Sequence, residues 1–295
     1  MTIRLKKNSM PLQELLRTAT HRLTEAGIPD GRREAETLIA ETLTCTRLDL
    51  YRADPVSLDP EQQETFMGLI RRRALREPLQ YILGVQEFWG LEFRVTTDTL
   101  IPRPETELLI EAVLEQFGRP GGPITLVDLC TGTGCLAVTL GRLYPAARIL
   151  ATDRSPAALD VARLNALRHE MIGRIEFLEG DLLEPLSSMR LHEKIDVMTA
   201  NPPYVPAEEL DRLQPEVRFH EPRIALNGGC DGLDYYRRIL PGALGFLRPG
   251  GRLFLEVGIR QASPVRVMAE QNGWRIDQIR KDLAGVDRVI VLTKP

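Results

Sequence analysis

The segment LVDLCTGTGCL, residues 126–136, combines an apolar β-strand, a glycine-containing loop and the start of a helix. Gly132 and Gly134 permit a tight turn and a close approach between the backbone and a ligand. In a doubly wound α/β sheet, ligands bind beyond the carboxyl ends of the strands, where such a loop lies. The segment therefore predicts a Rossmann-like sheet with a cofactor loop, although Gly132-x-Gly134-x-x-Ala137 alone also fits a dinucleotide fingerprint.

Short apolar runs alternate with helical stretches from residue 124 onward, which predicts an α/β domain with a mainly parallel, seven-stranded sheet. The loop at residues 282–286 is too short for a parallel crossover, so the last strand should be antiparallel. Gly250 and Gly251 are interpreted as a turn into the strand that follows them. The predicted strands are 124–129, 148–152, 174–178, 195–200, 252–257, 274–280 and 287–293, and the predicted helices begin near residues 135, 156, 235 and 261.

The first 80 residues carry the apolar spacing of amphipathic helices. One helix is predicted from Leu12, and a second contains the apolar positions in 35–43. A third is predicted to begin after Asp59, where Gln62 completes a capping box. The arginine triplet at residues 71–73 is interpreted as a solvated helix end that complements the helix dipole.

Residues 81–107 differ from both flanking regions, with a predicted hairpin turning at Gly90 and a proline-rich segment, IPRPE, at 101–105. The prolines prevent a helix through that segment. We therefore expect a small helical domain over residues 1–80, a hairpin and proline-rich connector over 81–107, and an α/β domain that carries the chemistry over 108–295.

Composition and charge argue against several classes of protein. The 295 residues hold 38 basic and 41 acidic groups, a net charge of −3, whereas a nucleic-acid-binding protein usually carries a basic surplus. The four cysteines and four histidines show no metal-ligand spacing, and no apolar run reaches the roughly 20 residues of a membrane helix. We expect a cytoplasmic monomer with reduced thiols, no metal and no membrane contact.

Three aspartates lie at the ends of successive predicted strands. Asp128 is placed to hold the loop amides or, through water, a ligand ammonium group, and Asp153 to accept both hydroxyls of a ribose. Asp181 is placed to accept from an exocyclic amine such as that of adenine. Each aspartate alone is also typical of a helix N-cap or a loop. Together they match S-adenosylmethionine, which carries an amino acid, a ribose and an adenine but no phosphate.

The sequence Asn201-Pro202-Pro203-Tyr204 follows the fourth predicted strand. An amide or aryl amine has a delocalised lone pair and is a poor nucleophile. The Asn201 side-chain oxygen and the Pro202 carbonyl could hold both NH2 hydrogens and aim the lone pair at an electrophilic methyl group, while Tyr204 offers a flat face for packing. The other interpretation of these four residues is a proline-stiffened turn.

Together these motifs resemble the class I, Rossmann-like methyltransferases that act on planar nitrogens. Within that class the sequence is similar to the PrmC/HemK family, the glutamine N5-methyltransferases of peptide chain release factors. Asn-Pro-Pro-Tyr alone is shared with adenine-N6 DNA methyltransferases, so the longer set of segments is more specific. That set covers nearly the whole chain: FWGLEF at 88–93, IPRPETE at 101–107, EPR at 221–223, GCDGL at 229–233 and DLAGVDR at 282–288.

The resemblance implies S-adenosylmethionine as methyl donor, S-adenosylhomocysteine as product, and the glutamine of a release factor Gly-Gly-Gln loop as acceptor. The helical domain would help to dock the release factor, and Arg103 and Glu105 would line the cleft. The implied cofactor residues are Cys130, Thr131, Gly132, Thr133, Gly134, Asp153, Asp181, Leu182 and Asn201, with Asp128 beside them, and the implied acceptor residues are Asn201, Pro202, Pro203 and Tyr204.

Cys130 departs from the pattern of many class I methyltransferases, which have glycine at this position. Because a positive φ would strain a cysteine, we expect Cys130 to have ordinary backbone dihedrals.

Four functions stay open at this point. The first is a release factor glutamine methyltransferase, and the second is a related enzyme that methylates a glutamine of a ribosomal protein. The third is a DNA adenine methyltransferase, which is disfavoured by a net charge of only +1 on residues 1–80 and −4 on the remainder. The fourth is a non-catalytic cofactor-binding module, which would have no need for Asn-Pro-Pro-Tyr.

Overall fold

The structure, a computed structural model, describes residues 10–52, 57–118 and 122–295. The chain divides into two compact units. The helical unit consists of Met1–Gly84 together with Pro215–His220, and the sheet unit consists of Val85–Gln214 together with Glu221–Pro295. The helical unit thus continues past residue 80, where the sequence pattern places its end, and includes a short segment from much later in the chain.

The described residues form helices and strands in the following order. The elements are β1 Met10–Pro11, α1 Leu12–Glu25, α2 Gly31–Thr42, α3 Asp49–Arg52, β2 Ser57–Leu58, α4 Pro60–Ala74, α5 Leu79–Leu83, β3 Val85–Phe88, β4 Leu91–Arg94, α6 Glu107–Phe117, β5 Thr125–Leu129, α7 Cys135–Leu143, β6 Arg148–Asp153, α8 Pro156–Arg168, β7 Ile175–Glu179, β8 Ile195–Ala200, α9 Pro215–His220, α10 Asp234–Ala243, β9 Leu247–Glu256, α11 Ala262–Gln271, β10 Arg275–Lys281 and β11 Asp287–Thr293. Within the described ranges, 3-10 helices lie at Pro104–Thr106, Glu184–Ser188, Leu210–Arg212 and Arg223–Ala225.

The helical unit has its own core, in which α1, α2 and α4 pack their apolar faces together. Leu23, Leu38 and Phe66 are fully buried there. The predicted capping box is confirmed: the Gln62 backbone N–H donates to Asp59 Oδ1 at 3.0 Å, and the Asp59 backbone N–H donates to Gln62 Oε1 at 3.1 Å. These two bonds satisfy backbone donors that the first turn of a helix leaves unpaired.

The interpretation of the arginine triplet as a solvated helix end is wrong for Arg73, which is only 5% exposed. Its guanidinium donates to Glu34 on α2 and, at 2.9 Å, to Glu216 on α9. Arg76 also donates to Glu216, at 2.7 Å. A buried arginine requires such partners because an unpaired buried charge is strongly unfavourable. Arg73 thus holds two distant segments of the helical unit together.

The sheet unit contains the predicted seven-stranded sheet, in the order β10-β11-β9-β8-β5-β6-β7. Strands β5 to β9 run parallel to one another, whereas β11 runs antiparallel to both β9 and β10. The prediction of an antiparallel last strand is therefore confirmed. The order reverses between β5 and β8, and ligands bind beyond the strands at such a switch point.

The predicted turn at Gly250–Gly251 is wrong, because both glycines lie inside β9. The Gly250 N–H donates to the carbonyl of Lys294, and the Lys294 N–H donates to the carbonyl of Gly251, both at 2.9 Å. The end of the chain thus supplies the partner that lets β9 continue through the Pro-Gly-Gly sequence. The predicted hairpin is present as β3 and β4, which turn at Trp89 and Gly90.

Across the described residues, no helix combines the length and the apolar character that crossing a membrane requires.

Candidate active site

A cavity of about 850 Å³, open to solvent, lies in the sheet unit at the carboxyl ends of β5, β6 and β8. Most of the residues that the sequence singles out line it: Arg103, Cys130, Thr131, Gly132, Thr133, Asp153, Asp181, Leu182, Asn201 and Pro203. The two strongest sequence signals, the glycine loop after β5 and the Asn-Pro-Pro-Tyr after β8, are therefore brought together by neighbouring strands.

Five of the predicted site residues do not line this cavity: Asp128, Gly134, Pro202, Tyr204 and Glu105. Gly134 has the left-handed conformation, with φ 78°, at the start of α7, and a Cβ there would lie 3.1 Å from the Ala162 Cβ. Its role is to let the loop turn tightly against α8, which agrees with the reason for a glycine in such a loop.

Asp128 supports the cofactor loop from inside the protein. Its side chain is fully buried and accepts hydrogen bonds from the hydroxyls of Thr131, at 2.6 Å, and Thr199, at 2.7 Å. Burial raises the pKa of Asp128 to about 7, although both hydroxyl bonds act to lower it. In this geometry Asp128 acts on the site by holding Thr131.

The expectation of ordinary dihedrals at Cys130 is wrong, because this residue has a φ of 57°. The backbone N–H of the next residue, Thr131, donates to the carbonyl of Thr152 on β6 at 3.0 Å. Leu129, the residue before Cys130, is paired with the same Thr152 in the sheet. The backbone must therefore turn sharply at Cys130. A left-handed cysteine costs about 1–2 kcal/mol, which the surrounding hydrogen bonds evidently offset.

Asp153 and Asp181 present carboxylates to the cavity from the ends of β6 and β7. Asp153 accepts from the backbone N–H groups of Gly132, at 2.9 Å, and Ser155, at 3.0 Å, and burial raises its pKa. Asp181 Oδ2 accepts from Arg238 at 2.6 Å. Asp181 Oδ1 is buried and has no hydrogen-bond partner among the residues that the structure describes, so it has an acceptor site free for a ligand.

Asn201 lies at the cavity wall next to two buried polar residues that sequence reasoning did not select. Its Nδ2 group donates to Thr106 Oγ1 at 3.1 Å, and the Thr106 hydroxyl donates to Glu256 Oε2 at 2.7 Å. The Tyr204 hydroxyl donates to Glu256 Oε1 at 3.3 Å. Burial raises the pKa of Glu256 to about 7 and, together with the Glu256 charge, raises the pKa of Tyr204.

The backbone of Tyr204 is packed tightly by the glycine segment at residues 228–232. A Cβ on Gly232 would lie 2.4 Å from the Tyr204 carbonyl oxygen, and a Cβ on Gly228 would lie 2.7 Å from the Tyr204 Cα. Gln261 Nε2 donates to the same carbonyl at 2.8 Å. These contacts hold the backbone of Tyr204 in place, and one of them comes from Gly232 of the GCDGL segment.

The proline-rich segment contributes to the site through residues of different kinds. Arg103 lines the cavity and donates to the buried carboxylate of Glu221 at 2.6 Å, so it does not pair with Glu105. Glu107 accepts from the backbone N–H of Trp89 at 2.7 Å and fixes the hairpin turn. The IPRPETE motif therefore serves the site chiefly through Arg103 and Thr106.

In the part of the chain that the structure describes, no group of three His, Cys, Asp or Glu side chains could hold a metal ion.

The fold and the site define a class I methyltransferase: a sheet of this order, with a glycine loop and strand-end carboxylates around a cavity at the switch point. A methyltransferase from Pyrococcus furiosus has a similar fold, with a TM-score of 0.54 at 17% identity over 76% of this chain and 98% of that chain. Residues 14–84 match the PrmC N-terminal domain, and residues 104–217 match the methyltransferase small domain.

The curated relatives define the family. A release factor glutamine methyltransferase from Moorella thermoacetica is 45% identical over 95% of this chain and 97% of its own length. A release factor glutamine methyltransferase from Geobacter sulfurreducens is 44% identical over 91% of each chain. The chain belongs to the release factor glutamine methyltransferase family, which confirms the family and the enzyme class that the sequence predicts.

Proposed function

We propose that this protein transfers a methyl group from S-adenosylmethionine to the side-chain amide nitrogen of the glutamine in the Gly-Gly-Gln loop of a peptide chain release factor. The observation that carries the proposal is the position of Asn201, at the wall of a cavity that also contains the glycine loop and two strand-end carboxylates. The similarity to release factor glutamine methyltransferases along nearly the whole chain supports the choice of acceptor.

The residues around the cavity fit S-adenosylmethionine. A carboxylate has about four acceptor positions, so Asp153 retains capacity for ribose hydroxyls after accepting two backbone N–H groups. Asp181 Oδ1 is a buried acceptor with no partner in the described residues, which suits an exocyclic amine. Gly132 lets the backbone approach closely. When bound, S-adenosylmethionine supplies a methyl group that is electrophilic because it is carried by a sulfonium.

Asn201, Pro202 and Tyr204 are proposed to activate the glutamine amide nitrogen, which is a poor nucleophile. The Asn201 Oδ1 and the Pro202 carbonyl accept the two hydrogens of the glutamine NH2 group, and this orients the nitrogen lone pair. Pro203, which lines the cavity, packs against the planar amide, and Tyr204, which does not line it, supports this segment through its hydroxyl bond to Glu256. The oxygens of Asn201 and Pro202 stabilise positive charge as it develops on the nitrogen. As the N–CH3 bond forms and the S–CH3 bond breaks, the nitrogen becomes acidic and gives its proton to solvent water, so no strong general base is needed.

The helical unit is proposed to dock the release factor. It matches the PrmC N-terminal domain and exposes large apolar side chains, with Leu48, Tyr51 and Leu75 each more than half exposed. The near-neutral charge, a net of +1 over residues 1–80, favours a protein partner over a polyanion. The reaction is placed in the cytoplasm, where release factors act.

We expect labelled methyl transfer from S-adenosylmethionine to a release factor, and no transfer when the Gly-Gly-Gln glutamine of that substrate is replaced by alanine. The assay offers release factor, ribosomal protein and unmodified DNA side by side, at equal concentration. Equal labelling of the alanine-substituted release factor would show that another group is modified. Preferential labelling of the ribosomal protein or the DNA would assign a different acceptor.

The substitution Asp153→Asn is expected to weaken binding of S-adenosylhomocysteine about 10- to 100-fold, the range for losing hydrogen bonds to a charged group. Isothermal titration calorimetry measures the affinity without turnover. Asp160→Asn, on the exposed side of α8, is the matched control and should bind as the unsubstituted protein does. Equal affinities for the two variants would place the ribose elsewhere.

A further inference from the structure

Asn201 can help the reaction only if its amide presents the correct end to the acceptor. The oxygen accepts a hydrogen from the glutamine NH2 group, whereas the Asn201 NH2 group would meet it donor to donor. The two ends of an asparagine amide have nearly the same shape, so packing alone does not distinguish them. The orientation must therefore be set by hydrogen bonds on the side away from the acceptor.

A buried series of hydrogen bonds sets the orientation of the Asn201 amide. Thr106 is 2% exposed and Glu256 is 1% exposed, so water cannot substitute for their partners. The Thr106 hydroxyl has one hydrogen, and it donates this hydrogen to Glu256 Oε2 at 2.7 Å. Thr106 Oγ1 can then only accept from Asn201, which it does from Nδ2 at 3.1 Å. Asn201 Oδ1 is therefore the end of the amide that points away from Thr106.

We propose that Thr106 and Glu256 are positioning residues that fix the orientation of the Asn201 amide, so that its oxygen faces the acceptor glutamine. This inference rests on the proposed function, because the orientation matters only if a glutamine amide is the acceptor. Donation from Nδ2 into a chain that ends on a carboxylate also polarises the Asn201 amide and makes its oxygen a stronger acceptor.

The backbone places Thr106, Asn201 and Glu256 close enough to form these hydrogen bonds. Asn201 directly follows β8, Glu256 ends β9, and the two strands are paired in parallel with Ala200 opposite Leu255. Glu256 therefore lies beside Asn201 at the carboxyl ends of these two strands. Thr106, at the end of a 3-10 helix, lies between their side chains. The Glu256 backbone is fixed as well, because the Tyr236 hydroxyl donates to its carbonyl at 2.9 Å.

Reversing the direction of these hydrogen bonds would reverse the orientation of the Asn201 amide. A protonated Glu256 can donate to Thr106, which would then donate to Asn201 Oδ1 and turn the NH2 group toward the acceptor. Burial raises the pKa of Glu256 to about 7, so this change falls near neutral pH. The titratable and charged groups that act on Glu256 are Glu105, Cys135, Tyr204, Tyr236 and Arg288, of which Arg288 is positively charged and lowers the pKa.

The central test compares Thr106→Val, which keeps the shape and removes both hydrogen bonds, with Thr106→Ser, which keeps the hydroxyl. We expect Thr106→Val to lower kcat for release factor methylation about 10- to 100-fold, the loss that follows a small misplacement of a group that orients the substrate. The KM for release factor and the affinity for S-adenosylhomocysteine should change less than about threefold. Thr106→Ser should restore most of kcat.

Thr139→Val is the matched control, since Thr139 is buried on α7 and its hydroxyl has no hydrogen-bond partner in the described part of the chain. It should leave kcat unchanged. If unsubstituted protein does not methylate release factor, the proposed function fails; if it does, and Thr106→Val is equally active, only the orientation by Thr106 and Glu256 is wrong. Loss of cofactor affinity in parallel with kcat would also overturn the inference, because it would indicate a general structural role.

Glu256→Gln provides a second measurement, which stands even if Thr106→Val does not fold. In the unsubstituted protein, kcat should fall as the pH is lowered from 8 to 6, because protonation of Glu256 releases the Asn201 amide. Glu256→Gln cannot gain that proton, so its kcat should be lower at pH 8 and should lose this acid limb. An unchanged acid limb in Glu256→Gln would contradict the inference, because the titrating group would then be another residue, such as Asp128.

Discussion

Replacement of Asn201 by alanine should lower kcat for release factor methylation on the order of 10²–10³-fold, the range for removing a hydrogen-bonding group that acts on the transition state. The reason is that the glutamine nitrogen must be held with its lone pair toward the methyl group, and alanine removes one of the two acceptors that hold it. The effect should be on turnover, because the interaction that is lost orients the reacting nitrogen.

The measurement pairs steady-state methylation kinetics with calorimetry of S-adenosylhomocysteine binding. Asn201 also lines the cavity, so some loss of affinity is compatible with its role, but we expect less than about threefold. Asn272→Ala, an exposed asparagine after α11, is the matched control and should be as active as the unsubstituted protein. A variant that loses cofactor affinity and keeps kcat at saturation would show that Asn201 serves cofactor binding alone.

The parts of the fold that the sequence predicted are those set by local rules. The capping box at Asp59 needs only residues that are neighbours in the chain, and it is present. The antiparallel last strand follows from a loop too short for a crossover, whatever the rest of the sheet does. The glycine loop and Asn-Pro-Pro-Tyr each lie at the carboxyl end of a strand, and parallel pairing of β5 with β8 brings them together.

The parts that the sequence did not predict depend on partners far away in the chain. Thr106 lies inside a motif that was recognised, yet its partners, Asn201 and Glu256, follow it by 95 and 150 residues. The family resemblance points instead to Glu105, its neighbour. A threonine in a motif of charged residues and prolines carries no local signal of burial, so only the fold shows that its hydroxyl is used.

Cys130 and Gly250 show that backbone conformation, too, depends on contacts with segments far away in the sequence. An expectation based on the residue type gave Cys130 ordinary dihedrals, but hydrogen bonding of Thr131 to β6 imposes a positive φ. The Pro-Gly-Gly sequence is typical of a turn, but Lys294 provides pairing that keeps Gly250 and Gly251 in a strand. In both cases a contact between distant segments overrides the local preference.

Replacement of Arg73 by leucine should destabilise the helical unit by about 3 kcal/mol, the lower end of the cost of removing one partner from a buried ion pair. Glu34 and Glu216 both lose their bonds to this guanidinium. Their carboxylates are largely buried, with side-chain exposures of 17% and 15%, so water replaces the lost bonds only in part. Arg76 would still hold Glu216, which is why we expect the lower end of the range.

Amide hydrogen exchange, followed by mass spectrometry in the full chain, measures this effect where it occurs. Peptides from α1, α2 and α4 should exchange about 100-fold faster in Arg73→Leu, since each 1.4 kcal/mol is a factor of ten, while peptides from the seven-stranded sheet should be unchanged. Arg71→Leu makes the same substitution two residues earlier on the exposed side of α4 and should change exchange less than threefold. Similar exchange in the two variants would mean that the arginines act as one solvated helix end, as the charge pattern of the sequence first indicates, and that burial of Arg73 contributes nothing to stability.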